Sequence, residues 1–412
     1  MASSRKDSRG RMLKTGEFVR KSDGRYVYSY TDPLGRRKFI YDQDLPGLRK
    51  KEALLLRDQL DGLDTIARAQ ATLNSTFDRY ISLKCNLRGT TKSGYIYTYD
   101  HFVRDTFGMK RIAEIKYSDV LQFYLHLVTE RKLAIGTLDS VHSVLHPTFQ
   151  LAVRDDILRN NPSDGVVAEV TKLTDKHRGS RHALTEEQQK SFMGYIANHP
   201  IFCHWWPLFT VLLGTGGRIG EILGLRWEDV DFEGKTISIN HSLVYYKDEE
   251  TGKFSFRIHL PKTESGIRII PMLDVVSEAL AMAKDEQKYE GVEQPVVDGM
   301  TGFVFLNKFG DVLGQGSVNR AIKRILDYYN YEEDLQASKE GRDPVLLPHF
   351  SCHVLRHTFA TRLCRACTNL KVIQYIMGHK SIETTMDVYA EATGDKNKEV
   401  FEMLSEALAD LF

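Results

Sequence analysis

The sequence predicts a multidomain protein that is mainly α-helical and carries small antiparallel β-sheets. Its 412 residues are too many for one hydrophobic core and indicate two or three domains. From about residue 72 onward, apolar residues recur at steps of three and four, which is the period of helices packed on one face. A few short segments instead alternate apolar and polar residues, as half-buried strands do.

The first 65 residues are basic and have the pattern of a hairpin. Residues 1–60 hold fifteen Lys and Arg against eight Asp and Glu, whereas the whole chain has a formal charge of only +1. Residues 24–30 and 36–41 alternate like strands on either side of a turn at 32–35. This charge indicates binding to a polyanion, although a solubilising tail would have the same composition.

A helix is predicted to follow the hairpin from about Leu48, with Leu54, Leu55 and Leu63 on its apolar face. Cationic side chains on the hairpin are candidates for DNA contacts. They are Arg25, Arg36, Arg37 and Lys38.

Residues 72–168 are predicted to form a helical domain. Its apolar stripes comprise Phe77, Tyr80, Ile81, Val120, Leu121, Tyr124, Leu125, Leu138, Val141, Leu145, Phe149 and Ala152. Pro147 predicts a kink or a shorter helix, and the run 160–162 (Asn-Asn-Pro) ends the last one. Connecting segments carry side chains suited to phosphate contacts, namely Arg88, Thr90, Thr91, Lys92 and Lys110. A plain helical bundle would show the same stripes.

A linker is predicted over residues 169–182, because this stretch is polar and contains Gly179 and Ser180. It adds Arg178 and Arg181 as candidate DNA contacts.

The last domain is predicted over residues 183–393. Thr185 and Gln188 have the spacing of a capping box at the start of its first helix. Three strands are expected at 236–240, 254–260 and 267–270, and helices dominate thereafter.

Side chains suited to phosphoryl transfer occur in separate motifs of this last domain. Arg218 follows two glycines, Gly216 and Gly217, at a helix start, and Arg356 lies on a later helix. Arginine presents a planar fork of donors that grips two phosphate oxygens and stabilises the charge of a pentavalent transition state. Tyr389 can supply a nucleophile that becomes a covalent ester.

Lysine and histidine side chains complete the candidate set. Lys262 lies on a turn between two predicted strands, where an ammonium could protonate a leaving oxygen. His353 precedes Arg356 by three residues on one helical face, and His379 precedes Tyr389 by ten. Each motif has a plainer interpretation, such as a surface salt bridge for Arg218 or a solvated turn for Lys262.

Together these motifs resemble those of the tyrosine recombinases, the phage-integrase family, and among them most closely the integrases of conjugative transposons. The resemblance implies a catalytic set of Arg218, Lys262, His353, Arg356, His379 and Tyr389. Glu221 is expected to orient or cap rather than react, His357 to pack beside the site, and Tyr375 to lie in the core. The family needs neither metal nor cofactor, because a phosphotyrosine ester stores the energy of the broken bond.

The resemblance also implies domain roles and partners. Residues 1–65 would bind arm-type DNA sites, 72–168 would bind the crossover core, and 183–393 would catalyse strand exchange. Four protomers would hold two double-stranded DNA sites and pass through a Holliday junction, with an excisionase and a host DNA-bending protein assisting. The family often docks its C-terminal helix, here 394–412, in the neighbouring protomer; packing in cis is the alternative.

Two other function classes stay open from the residues alone. A type IB topoisomerase uses nearly the same side chains to relax DNA, and a DNA-binding regulator would need no catalytic set. The sequence has no candidate membrane span or signal peptide, so a cytoplasmic protein is expected. Its five cysteines are expected to be reduced thiols, and Cys364 and Cys367 to bind no zinc.

Overall fold

The structure is a computed structural model that describes residues 5–31, 36–60, 70–177, 182–248, 251–261, 266–291 and 293–393. The chain divides into two compact units, Met1–Gly179 and Ser180–Phe412. Within the described residues, no helix combines the length and apolar character needed to cross a membrane.

The N-terminal residues form a three-stranded antiparallel sheet and one helix. The elements are β1 (Glu17–Val19), β2 (Tyr26–Thr31), β3 (Arg37–Asp42) and α1 (Leu45–Leu60). Strand β2 lies in the middle, and Tyr28 pairs with Ile40 of β3. The predicted hairpin is therefore confirmed, whereas β1 was missed because three residues are too few to show a period.

The apolar face predicted for α1 was wrong. Leu54 is exposed, and the helix instead buries Leu45, Leu48 and Glu52, which lie three and four residues apart. Leu45 and Leu48 pack with Tyr26 in a small core of their own. The sheet packs on the start of the helix, and farther along Leu54 and Leu56 are exposed and Leu55 is half-buried. Leu63 lies outside the described residues.

The rest of the first unit is a helical bundle, as predicted. Its helices are α2 (Leu73–Leu83), α3 (Gly89–Tyr99), α4 (Tyr117–Thr129), α5 (Ile135–Arg154) and α6 (Val166–Thr174). The predicted stripes form its core, in which Phe77 stacks on Tyr99 and Leu138 and Phe149 are fully buried. Helix α5 is 20 residues long and contains Pro147 in its interior, so the expectation of a shorter helix was wrong.

Helix α6 also overlaps the predicted linker. Residues 169–174 belong to this helix, and Val166 and Val170 are buried in the bundle core. Two buried valines one turn apart outweigh the polar composition that suggested a linker.

The second unit is mixed, and helices predominate. Its elements are α7 (Glu186–Asn198), α8 (Trp206–Thr215), α9 (Ile219–Gly224), β4 (Val230–Asp231), β5 (Thr236–Ile239), β6 (Ser242–Lys247), β7 (Phe254–His259), β8 (Arg268–Pro271), α10 (Asp274–Glu290), α11 (Gln315–Glu340), α12 (Cys352–Ala366), α13 (Leu370–Met377) and α14 (Ile382–Thr393). The capping box of Thr185 and Gln188 is confirmed.

The three predicted strands are present as β5, β7 and β8, and the described residues of this unit add β4 and β6. These strands form two sheets. One has the order β4-β5-β8, and β6 pairs with β7 in a separate hairpin. The sheet of three supports α8 and α9, because Ile237, Ile239 and Ile270 join one large core with Leu212 and Ile222. A smaller cluster holds α14 against α12 and α13. These contacts fix the helix ends that carry the candidate site.

Candidate active site

Arg218 is the N-cap residue of α9 and is held there by Glu221. The backbone N–H of Arg218 donates to Glu221 Oε2 at 2.8 Å, and Arg218 Nη1 donates to Oε1 at 2.8 Å. Gly216, two residues before Arg218, has φ 60°, and a Cβ at this position would lie 2.2 Å from the Phe359 ring. Glycine at this position lets α8 end and the chain turn into α9 beneath α12. Glu221 thus orients and caps, as expected.

Three arginines from different elements converge on the end of α13. Arg268 Nε donates to Ile376 O at 2.8 Å, Arg356 Nη2 to Met377 O at 2.6 Å, and Arg218 Nη2 to Gly378 O at 2.8 Å. We call these three consecutive carbonyls the carbonyl turn. The C-terminal carbonyls of a helix have no partners within the helix, and cations stabilise this negative end.

Arg356 is the more deeply buried of the two predicted catalytic arginines. Its side chain projects from α12, and its second donor, Nη1, bonds Gly216 O at 2.6 Å. The residue is 6% exposed. Burial and then the positive charge of Arg218 lower the pKa of Arg356 to about 9. The Arg356 cation is therefore anchored between Gly216 and the carbonyl turn, and it remains charged at neutral pH.

His379 follows the carbonyl turn and lies among these cations. Its Nδ1 is 3.0 Å from the hydroxyl of the buried Thr385. Burial, followed by the nearby charges of Arg356 and Arg218, lowers the pKa of His379 to about 4. The imidazole is consequently neutral at pH 7, so it can serve as a hydrogen-bond donor to an oxyanion without carrying charge.

Tyr389 lies on α14, the helix that follows His379 in the chain. Its ring packs against a small cluster with Val388, around buried Cys364 of α12 and Met377 of α13. Near the C-terminal end of α14, three residues after Tyr389, Ala392 O accepts a hydrogen bond from Arg365 Nε at 3.3 Å. The nucleophile candidate is thus carried by a helix anchored on the same elements that hold the arginines.

His353 occupies the first turn of α12 and is exposed, whereas Arg356 one turn later is buried. The structure therefore brings together Arg218, Arg356 and His379, and it places His353 at the solvent-facing side of the same helix. Lys262 lies outside the described residues. Tyr375, expected in the core, is 53% exposed, and its hydroxyl accepts from Ile269 N–H at 3.2 Å instead.

The candidate DNA contacts are distributed over the first unit. Arg37 and Lys38 are exposed on β3, Arg36 precedes it, and Arg25 lies just before β2 beside Asp23 at 3.6 Å. In the bundle, Arg88 is the N-cap residue of α3. Thr90, Thr91 and Lys92 lie in the first turn of that helix, so their placement in a connecting segment was wrong. Lys110 is exposed and 3.4 Å from Asp119. Arg178 and Arg181 lie outside the described residues.

Arg268 is a residue of this arrangement that the sequence reasoning missed. It lies on β8, and its side chain is fully buried against Glu221 at 2.8 Å. The signal was present: in 267–270 (Ile-Arg-Ile-Ile), the arginine alternates onto the same face as Ile270, which is buried. A cation on the buried face of a strand requires a partner, and Glu221 is that partner.

The arrangement is suited to binding and polarising a phosphodiester. Two arginine forks anchored by backbone carbonyls keep further N–H donors available, and a neutral imidazole lies beside them. In the part of the chain that the structure describes, no cluster of three or more His, Cys, Asp or Glu has the geometry to hold a metal ion.

Comparisons with known proteins identify the family. The phage integrase family matches residues 182–395, and the DNA binding domain of Tn916 integrase matches residues 1–65. The chain is similar to the transposase from transposon Tn916 of Enterococcus faecalis, at 33% identity over 96% of this chain and 95% of that protein. It is also similar to the ICEBs1 integrase of Bacillus subtilis, at 25% identity over 87% and 90%.

A solved structure resembles most of the chain. It is the Tn1549 transposon integrase in complex with transposon right end DNA, with a TM-score of 0.70 and 30% identity. The match covers 81% of this chain and all of that one.

Proposed function

This chain is a tyrosine recombinase of the phage integrase family, and we propose that it excises and integrates a mobile genetic element by cutting and rejoining its DNA ends. The observation that carries the proposal is the convergence of Arg218, Arg356 and His379 on one turn, with Tyr389 on the next helix. The similarity to transposon integrases along nearly the whole chain supports the substrate class.

In the proposed reaction, Tyr389 Oη attacks the scissile phosphorus and the bond to the 5′ oxygen breaks. A 3′-phosphotyrosyl ester and a free 5′ hydroxyl result, so no external energy source is needed. Arg218 and Arg356 stabilise the charge that develops on the non-bridging oxygens, and His379 donates a hydrogen bond to one of them. His353 accepts the tyrosine proton or bonds the phosphate, and Lys262 protonates the leaving oxygen.

Strand exchange follows when the 5′ hydroxyl of the partner duplex attacks the phosphotyrosyl ester and restores a phosphodiester. We assign this to four protomers on two DNA sites, cutting in pairs through a Holliday junction. Residues 1–65 bind arm-type sites, 72–168 bind the core site, and 183–393 catalyse. An excisionase and a host DNA-bending protein assist the reaction. The reaction takes place in the cytoplasm, where the DNA is accessible.

Two differently labelled duplexes that carry the element's ends test this proposal. Incubation with the protein should join label from one duplex to the other through a protease-sensitive covalent intermediate. Relaxation of supercoiled plasmid without joining would instead indicate a topoisomerase. DNA binding without either product would indicate a regulator.

A further inference from the structure

Arg268 and Glu221 form a buried ion pair directly behind the two catalytic arginines. Arg268 Nη2 and Nη1 donate to the two carboxylate oxygens at 2.8 and 3.3 Å. The side chain of Arg268 is 0% exposed and that of Glu221 is 9% exposed. A fork that meets a carboxylate with two donors fixes geometry as well as charge, and burial shields the pair from solvent screening.

The same carboxylate also holds Arg218, so two guanidinium groups share one negative charge. Three cations, Arg218, Arg268 and Arg356, therefore surround a single anion, and the cluster carries a formal charge of +2. Without Arg268, Glu221 would pair with Arg218 alone and the charge would fall to +1. That charge is what the site offers to a phosphate.

We propose that Arg268 is a positioning residue for DNA cleavage: it compensates Glu221 so that Arg218 keeps its charge for the phosphate, and it anchors the carbonyl turn that precedes His379. Arg268 does not touch the DNA, since no part of its side chain reaches solvent. It acts through Arg218 and through the Ile376 carbonyl. The inference rests on the proposed cleavage reaction.

The packing around Gly378 supports this role. Gly378 ends α13 with φ 61°, and a Cβ there would lie 2.8 Å from Arg268 Nη1. Space beside the turn is thus occupied by the guanidinium and not by a side chain of the turn itself. The glycine before His379 and the arginine on β8 form one packing unit.

The pKa of His379 provides a readout that the loss of a purely structural residue would not change. The imidazole faces Arg356 of α12, Arg218 of α9 and Arg268 of β8. Burial has the largest effect in lowering the pKa of His379, and these three positive charges lower it further. Removal of Arg268 takes away one of the three cations. The pKa of His379 should then rise, and the acid limb of the cleavage rate should move to higher pH.

The experiment is single-turnover cleavage of a nicked suicide duplex at saturating protein, measured across pH together with DNA affinity. Arg268→Met should cleave roughly 10- to 100-fold more slowly, the range found for residues that orient metal ligands in the same indirect way. Its Kd for DNA should stay within a few fold. The double variant Glu221→Gln/Arg268→Met restores the +2 charge and should regain part of the lost rate.

Arg226→Met is the matched control. Arg226 is also mostly buried and paired, with Nε 3.8 Å from Asp229 Oδ2, and its ion pairs are made to Asp229 and Glu228 rather than to Glu221. Its replacement should leave the cleavage rate and the pH profile unchanged.

The outcomes separate this inference from the proposed function. If the wild-type protein forms no covalent complex, the proposed function fails. If it cleaves and Arg268→Met cleaves equally fast with the same pH profile, only the role of Arg268 is overturned. A double variant no faster than Arg268→Met overturns the charge argument. Should Arg268→Met not fold, Arg268→Lys decides: we expect several-fold slower cleavage with an unshifted acid limb, and a wild-type rate overturns the inference.

Discussion

Replacement of Arg356 by lysine tests most directly whether the arginine forks act on the transition state. The native side chain spans two backbone carbonyls, Gly216 O and Met377 O, each at 2.6 Å, and it is 6% exposed. A lysine ammonium keeps the charge but is a point donor, so it cannot bridge both carbonyls and still present a fork to a phosphate.

The magnitude follows from two separate losses. Loss of one preorganised donor to the transition state costs about 2.7 to 4 kcal/mol, or roughly a hundred- to a thousandfold in rate. One buried carbonyl left without its donor costs about 1 to 3 kcal/mol of folding free energy. Arg356→Lys should therefore fold with a lowered melting temperature and cleave slowly, while its DNA affinity stays within a few fold.

Burial adds a pH signature to the lysine variant. The pKa of Arg356 is lowered to about 9 by burial first, and lysine starts from a lower value, so its ammonium should lose its proton at a lower pH. Activity of the variant relative to wild type should accordingly fall as pH rises from 7 to 9. Single-turnover cleavage of a suicide duplex and thermal unfolding measure both effects. A folded variant that cleaves at the wild-type rate would refute the fork argument.

Four further predictions concern the nucleophile, the stability of the fold at low pH, the basic N-terminal domain and the C-terminal tail. Tyr389→Phe should bind DNA but form no covalent complex on a suicide duplex; a persisting adduct would identify another nucleophile. Burial raises the pKa of Glu221, but Arg268 and Arg218 outweigh that effect and lower the pKa to about 2. Its ion pairs therefore stabilise the fold above pH 4.5 and lose that contribution, about 3 kcal/mol, as pH falls toward 2, and Glu221→Gln should flatten this acid transition in thermal melts. Removal of residues 1–65 should spare cleavage at the core site and make the salt dependence of binding to full ends shallower, whereas an unchanged slope would contradict a separate arm-binding domain. Deletion of 396–412, which lies outside the described residues, should leave single-site binding intact and disrupt tetramers on paired sites, and normal recombination would show that the tail packs in cis.

Local pattern was sufficient for several features of this protein. The helical period identified the bundle core through residues such as Leu138 and Phe149, and the Thr185 capping box marked the start of α7. Spacing within motifs identified Arg218, Arg356, His379 and Tyr389 as candidates, because those residues lie in short segments whose local chemistry is distinctive. The family followed from the combination of these motifs and is shown by the comparisons.

Other features depended on contacts between distant segments. The outward face of α1, the helical nature of residues 169–174 and the exposure of Tyr375 reflect which neighbours cover each surface, and local periodicity does not encode this. Periodicity thus indicated the helical architecture, and the resemblance of the combined motifs to a known family gave the family and the candidate side chains. Only the tertiary structure showed that Arg268 shares Glu221 with Arg218 and that three arginines meet on the carbonyl turn, because a buried charge is stabilised by partners that the chain brings from far away in sequence.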